Sequence, residues 1–422
     1  MHKKLETFLF GNKLKEWNNF TQNDIFNLSK FPFLNWIIEQ YNKNNVKSSK
    51  ILKLANAICV AGHINYRVFN CKHKTNIFAL AIAPTTYQKT DLQQINLNIL
   101  KHFNVSNECI SRFKSIKYLQ AQLLANSGNI MHTDDDLTTF FGNVRPSIAS
   151  NYLDSLKDDF NILFKSNKKY NFDFLNVLTF NGLDSTFVSL LWSGEKSCLR
   201  YLSKHDFANG LMGKFLYFYD SLEIEFDLGL SIEEVQRSIA LDIEKLSNIK
   251  ILKNFGFKFK FSDNAIIQYT KFKEILNEKK NLIREEITFK LMFELCCDHI
   301  IKLSIIASNS RIIDAYTINW AIGIVIFSLQ SAFLLIKSQD SLNFETNLDK
   351  LLFSKIKNLI QESNYGVVTA RDLRQSFRKI GKQNVNRSLE RLQFQKFIKI
   401  KKTTNVGRPS EEITFNDNFL NN

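Results

Sequence analysis

An α/β core between helical regions, followed by a separate basic module, is the fold class this 422-residue sequence predicts. Three observations lead there. Between residues 75 and 230 short continuous apolar runs alternate with helical patterns, the arrangement that builds a parallel sheet covered on both faces. On either side, residues 1–74 and 231–345 repeat their apolar side chains at three- and four-residue spacing, as amphipathic helices do. Residues 346–422 then form a module of their own: from Leu351 to Asn422 there are 14 Lys+Arg against 6 Asp+Glu.

The elements follow in order. "LNWIIEQYNKNN" and "SSKILKLANAICVAGHI" are helical, the second with Ser48 or Ser49 as N-cap. "TNIFALAIAP" is a buried strand, and further strands are expected at residues 129–133, 174–180 and 214–220. From Ser231 to about Lys337 the pattern is helical again. The last module reads as "LLFSKIKNLIQES", "TARDLRQSF" capped by Thr369, and "KQNVNRSLERLQFQ", then two alternating strands, "FIKIKK" and "EEITFN". Three helices followed by a β-hairpin is the winged-helix order, a variant of helix-turn-helix.

Composition bounds the function. A chain this long supports more than one domain and a sizeable core, and 44% hydrophobic with 23% charged residues is ordinary for a soluble protein. The 38 Phe, with many Lys, Asn and Ile, fit an AT-rich coding genome, so a single Phe or Lys is a weak signal. A net charge of +15 points to a polyanionic partner, above all nucleic acid, against the competing reading of a lysine-rich solvated surface. The N-terminus lacks the apolar stretch and cleavage site of a secretory signal, and six scattered Cys suit reduced thiols, so a cytoplasmic location is expected. Trp320–Ile336 approaches the roughly 18–20 residues that span a bilayer. Ser328, Gln330 and Ser331 near its middle favour a buried core helix, and no membrane association is expected.

One stretch carries chemistry. "APTTYQKT", Ala83–Thr90, follows an apolar strand and opens a helix, as a phosphate-binding loop does. Lys89 would reach the β- and γ-phosphates of ATP, and the Thr90 hydroxyl would bind Mg²⁺. Ala83 is tolerable at the loop's first position, but Gln88 stands where glycine is usual. If that position needs φ > 0, a Cβ costs about 1–2 kcal/mol, or about ten- to thirtyfold in affinity. "NIMHTDDD" offers Asp134 as a metal-side acid and Asp135 as a base. The competing reading is that the Asp run opens the next helix, where acids suit the dipole.

Four stretches, "TNIFALAIAPTTYQKTDLQQIN", "LLANSGNIMHTDDDLTTFF", "VLTFNGLDSTFVSLL" with "DFANGLMGKFLYFYD", and "VVTARDLRQSF…NVGRPSEEITFN", resemble in order the primase-helicase-like P-loop proteins of plasmids, phages and integrated elements. The resemblance spans roughly residues 45–416. It implies a RecA-like P-loop core joined to helical regions and a terminal winged helix, with ATP and Mg²⁺ as cofactors and a homo-hexamer as the working form. By it Lys89 and Thr90 are Walker A residues, Asp134 and Asp135 the Walker B pair, and Lys214 in "GLMGKFLYF" stands where the family has an arginine that faces a neighbouring subunit's ATP. Gln88, Asp135 and Lys214 all depart from the family pattern at catalytic parts, which implies a weakened or lost ATPase.

In a DNA-bound winged helix the third helix enters the major groove. Its expected contacts are Lys382, Gln383, Asn384, Asn386, Arg387 and Arg391, with Lys401, Lys402 and Arg408 on the wing beside the backbone. Use of the module for protein contacts is the competing reading. Cys59, His63, Cys71 and His73, and likewise Cys296, Cys297 and His299, include metal-ligand types, but their spacings match no common zinc pattern and core roles are expected. The functional expectation is a mobile-element DNA replication protein, helicase-like, with weak or absent ATP turnover. The alternative is a non-enzymatic initiator or regulator that binds DNA on a degenerate P-loop scaffold.

Overall fold

A computed structural model of the chain describes residues 2–14, 17, 25–44, 46, 48–69, 71, 73–84, 89–111, 116–137, 163–164, 186–196, 198, 211–220, 259–279, 282, 287–339, 347–362, 368–378, 382–394, 397–403 and 410–415. The chain divides into two compact units: Met1–Phe140 with Ser155–Ser197 and His205–Ser338, and Phe141–Asp154 with Cys198–Lys204 and Gln339–Asn422.

The first unit is mostly helical around a parallel five-stranded sheet. Its strands are β1 (Phe78–Ile82), β2 (Cys109–Ser111), β3 (Asn129–Asp134), β4 (Phe187–Gly194) and β5 (Leu216–Tyr219), in the order β2-β3-β4-β1-β5. Every residue of β1 and β4 is buried, as expected where helices cover both faces of a strand. The strand expected at 174–180 lies outside the described residues, and β4 supplies the run beside β1, with Phe78 opposite Leu190 and Ile82 opposite Gly194. The strand expected at 214–220 is shorter: Leu211–Lys214 is a 3₁₀ turn that precedes β5.

Helices α1 (His2–Phe10), α2 (Pro32–Lys43) and α3 (Lys50–Arg67) precede the sheet, and α4 (Lys89–His102) and α5 (Ile116–Ala125) connect its first strands. Ser49 caps α3, its hydroxyl accepting from the Leu52 N–H at 3.1 Å. Almost every residue of α3 from Leu52 to Asn65 is buried, because the helix packs against β1, β4 and β5 on one side and other helices elsewhere. A polar ladder ties three helices together. The Tyr41 hydroxyl donates to Asn96 Oδ1 at 2.6 Å, and Asn96 Nδ2 donates to Asn56 Oδ1 at 2.7 Å. At the edge of the sheet, buried Glu108 takes a fork from Arg67 and a hydrogen bond with His63 at 2.9 Å. Burial works to raise the Glu108 carboxyl, but those two partners outweigh it and hold the group below the usual range.

Helices α6 (Asp263–Glu278), α7 (Ile287–Ala307) and α8 (Ala315–Gln339) complete the unit, with a two-stranded parallel pair, β6 (Lys260–Phe261) and β7 (Ile312–Ile313). Ala315–Lys337 is long and apolar enough to cross a membrane, and 78% of that window is buried inside the protein. Its hydroxyls have internal work. The Ser328 and Ser331 oxygens accept from the backbone N–H groups of Tyr217 and Tyr219, at 2.7 and 3.3 Å, on the outer edge of β5.

In the second unit, α9 (Asn347–Glu362), β8 (Val368–Thr369), α10 (Ala370–Ser376), α11 (Lys382–Phe394), β9 (Ile398–Thr403) and β10 (Ser410–Phe415) follow one another. The strands form an antiparallel sheet in the order β8-β10-β9. Thr369 caps α10, accepting from the Asp372 N–H at 3.2 Å. Leu352, Ile356, Leu373, Leu389, Leu392 and Ile413 bring the helices and sheet onto one core.

Candidate functional site

Because all five strands run the same way, Ile82, Asp134, Gly194 and Tyr219 end at one edge of the sheet. From β1 the chain crosses to the far edge at β2, then returns strand by strand and passes β1 to reach β5. Where right-handed crossovers reverse direction in a parallel sheet, the C-terminal strand ends beside the reversal, here that of β1, are the general place for a ligand. The Ala83 N–H donates to Gly194 O at 3.0 Å and the Asp220 N–H to Ile82 O at 2.9 Å, which holds the ends of β4, β1 and β5 side by side.

The Lys89 ammonium, at the first position of α4, donates to Ala83 O at 3.1 Å and so folds back over the start of its own loop. The neighbouring Thr90 hydroxyl donates to Asp135 Oδ2 at 2.8 Å. That bond spans the width of β4, because β1 and β3 are not neighbours and stand about 9.5 Å apart at two strand spacings. Gln88 lies outside the described residues. Thr90, expected beside Asp134 on the metal side of the site, is hydrogen-bonded to Asp135, the residue expected as the base. Asp134, the last strand residue, is buried, and its Oδ1 accepts from the Asp136 N–H at 2.9 Å in an Asx turn. Successive side chains of a strand point to opposite faces, so the turn that holds Asp134 directs Asp135 to Thr90. The Ser193 hydroxyl steadies the turn by donating to Asp134 O at 3.3 Å.

Two oxygen groups, the Thr90 hydroxyl and the Asp135 carboxylate, meet at this edge. Their separation of 2.8 Å is that of an ordinary hydroxyl–carboxylate hydrogen bond. Asp134, Asp135, Asp136, Glu195 and Asp220 all stand at the strand ends, against Lys89 and Lys196. A phosphate chain meets net negative charge there unless a divalent ion accompanies it. Behind the edge, the Trp192 Nε1–H donates to His132 Nδ1 at 2.8 Å, and burial pushes that imidazole down to about 3, so it is neutral near pH 7. Sequence reasoning did not single out Ser193, Glu195 or Asp220, although each follows an apolar run of the kind that identified β1.

Lys214 is a correction. It closes the 3₁₀ turn before β5, so it sits at the N-terminal edge of the sheet, a full strand length from Lys89. Only 6% of it is exposed, and its ammonium lies over the Phe164 ring, 5.5 Å from the centroid. Lys302 stacks on the same ring at 4.5 Å and pairs with Asp298 at 3.0 Å. A buried cation–π role replaces the expected approach to a neighbour's phosphate. The cysteine and histidine candidates also have structural work: Cys59 is buried with its thiol against Leu190 O, and His63 pairs with Glu108. Among the described residues, no group of three His, Cys, Asp or Glu side chains is placed to hold a metal ion, the acids at the strand ends included.

In the second unit, two expected nucleic-acid contacts turn inward. The Arg391 fork donates to Asp349 at 2.8 and 3.0 Å, and the buried Asp349 also accepts from the Ser388 hydroxyl. Asn386 accepts from Arg374 Nε at 2.8 Å, and Arg374 reaches on to Glu411 at 2.7 Å. Both residues therefore hold α11 to its neighbours. Their inward turn follows from position: Val385, Ser388, Leu389 and Leu392 make the buried face, and Asn386 and Arg391 border it. Lys401 is exposed on β9 opposite Glu412, and Lys399 is exposed beside it. Lys382, Gln383, Asn384, Arg387 and Lys402 lie on α11 and β9 with side chains outside the described residues, as is all of Arg408. Arg371 and Arg378, exposed on or just after α10, were missed.

Comparison with protein-family models and with curated proteins finds no match to this chain.

Proposed function

We propose that the chain is a RecA-like, P-loop nucleotide-binding protein with a winged-helix DNA-binding module, acting in the DNA replication of a mobile element with slow ATP turnover. The Thr90–Asp135 hydrogen bond carries this reading. It joins the hydroxyl after the loop lysine to an acid beyond β3, across an intervening strand of an all-parallel sheet. Lys89 supplies the phosphate cation, and releasing it from Ala83 O requires a better acceptor, which a phosphate oxygen is. Thr90 and Asp135 would hold Mg²⁺, which would neutralise the phosphates against this acidic edge. Three helices followed by a β-ribbon, with Lys399, Lys401, Arg371 and Arg378 exposed, support duplex binding through the terminal module.

The experiment is titration of a fluorescent ATP analogue with and without Mg²⁺. Wild type is expected to bind with Mg²⁺, and Lys89→Ala to bind at least about tenfold more weakly through loss of a charge-assisted contact. Equal binding by the two proteins, or none by wild type, overturns the nucleotide reading.

The burial of Lys214 at the far edge favours a second reading of the same fold, a DNA-binding initiator or regulator that binds nucleotide without turning it over. Phosphate release measured with DNA present separates the two: steady turnover abolished by Lys89→Ala supports the motor, and no turnover supports the regulator.

A further inference from the structure

Helices α1 and α6 both end at a cleft of about 780 Å³, in the size range of ligand pockets. Phe8 and Leu282 give it apolar walls, and Gly11 leaves bare backbone beside them. Phe8 keeps only 5% of its surface in solvent, so the lining has no aromatic face open for stacking. Lys4, Lys13 and Lys279 stand around the walls with a single acid, Glu278. Lys13 pairs with Glu278 at 2.7 Å, but both side chains are more than half exposed, at 54% and 58%, so the pair is weakly held and opens at little cost. Lys13 and Lys279 follow helix C-termini, where cations suit the dipole. Lys4 lies in the first turn of α1, where the dipole disfavours a cation, so its place at this cleft has no such explanation.

We infer that this cleft docks a short acidic segment of a partner protein, with an apolar anchor side chain against Phe8 and Leu282 and carboxylates on Lys4 and Lys279. The apolar walls call for an occupant with a hydrophobic side chain to bury, and the surplus of cations around them calls for carboxylates beside it. A peptide also brings backbone N–H groups, which suit the Glu278 carboxylate and the two helix C-termini that reach the cleft. A phosphate polymer has only acceptors along its backbone and meets both the acid and the C-termini unfavourably. Once the Lys13–Glu278 pair opens, Lys13 takes a carboxylate of the peptide and Glu278 accepts an N–H. No lining residue belongs to the sheet edge that holds Lys89, so the inference stands independently of the nucleotide reading.

The test uses the full chain with a fluorescein-labelled octapeptide, Asp-Glu-Asp-Leu-Leu-Asp-Glu-Asp, followed by anisotropy. The same peptide with serine in place of both leucines is expected to bind about tenfold more weakly or worse, because the apolar walls lose what they bury. The double variant Lys4→Glu, Lys279→Glu is expected to lose about tenfold or more toward the leucine peptide through like-charge contacts. Thr7→Trp fills the cleft from an exposed position on α1 and is expected to block the peptide with the melting temperature unchanged. Equal affinity for the two peptides overturns the proposal, as does equal affinity of the wild type and both variants for the leucine peptide. A wild-type protein that leaves the leucine peptide free at about 1 mM also overturns it. Displacement of the peptide by a thymidylate 12-mer at equal charge concentration overturns it too and assigns the cleft to a nucleic-acid strand.

Discussion

His132 is buried on β3 with its Nδ1 accepting from Trp192, and burial holds it near 3, well below the ordinary histidine value of about 6.5. The unfolded chain therefore binds a proton there before the folded one does, so this residue's contribution to stability is intact above about pH 6.5 and falls as pH drops toward 3. Urea denaturation midpoints between pH 7.5 and 5 are expected to decline, with a slope up to about 1.4 kcal/mol per pH unit shallower in His132→Gln below pH 6.5. Identical profiles for the two proteins would contradict the assignment. Gly62 is constrained by space: a Cβ there would meet Thr75 O at 2.6 Å and the Ile306 side chain at 3.1 Å. Gly62→Ala forces α3 away from both and is expected to cost about 1–3 kcal/mol in the same assay. Arg391 now belongs with these structural residues. Arg391→Ala leaves Asp349 buried without its fork, so loss of about 3 kcal/mol or more of stability is expected, where a base-reading arginine would show altered DNA preference instead.

At the level of elements, a sheet with an open edge has amide hydrogens to satisfy, and on β5 the hydroxyls of α8 accept two of them. Ser328→Ala is expected to destabilise the protein by about 1–3 kcal/mol, because a buried donor is left without an acceptor. Ser328→Thr, which keeps the oxygen, should recover part of that in thermal unfolding. The elements legible in the sequence were those with strong local signals. Ser49 and Thr369 are oxygens placed to cap α3 and α10, and the apolar run of β1 ends at a loop that opens a helix. β4 was missed although Phe187–Trp192 has the same continuous apolar texture, because a competing apolar run at 174–180 absorbed the expectation. β2 has three residues, too few to carry a period. Lys214 was legible as the first residue of the strand expected at 214–220, hence at the N-terminal edge of a parallel sheet, and its role beside a neighbour's phosphate came from the resemblance alone. The exchange of Asp134 for Asp135 turns on a single position, since one residue at a strand end reverses the face a side chain takes.

The molecule as a whole consists of two compact units with separate cores, and the basic residues from Leu351 onward belong to the second. Calorimetry on the full chain is expected to show two transitions, with Arg391→Ala shifting only one of them. A single cooperative peak shifted as one by that variant would contradict independent cores. Within the first unit, α8 and β5 share hydrogen bonds that neither can replace, and β5 lies beside β1, the strand that precedes Lys89. A slide of α8 by even one helical turn would strip both amides of their acceptors in dry surroundings. Helix and edge strand are therefore yoked, and on the same turn of α8 Gln330 donates to the carbonyl of Leu9, so a single turn of one helix clasps the edge strand and α1 together.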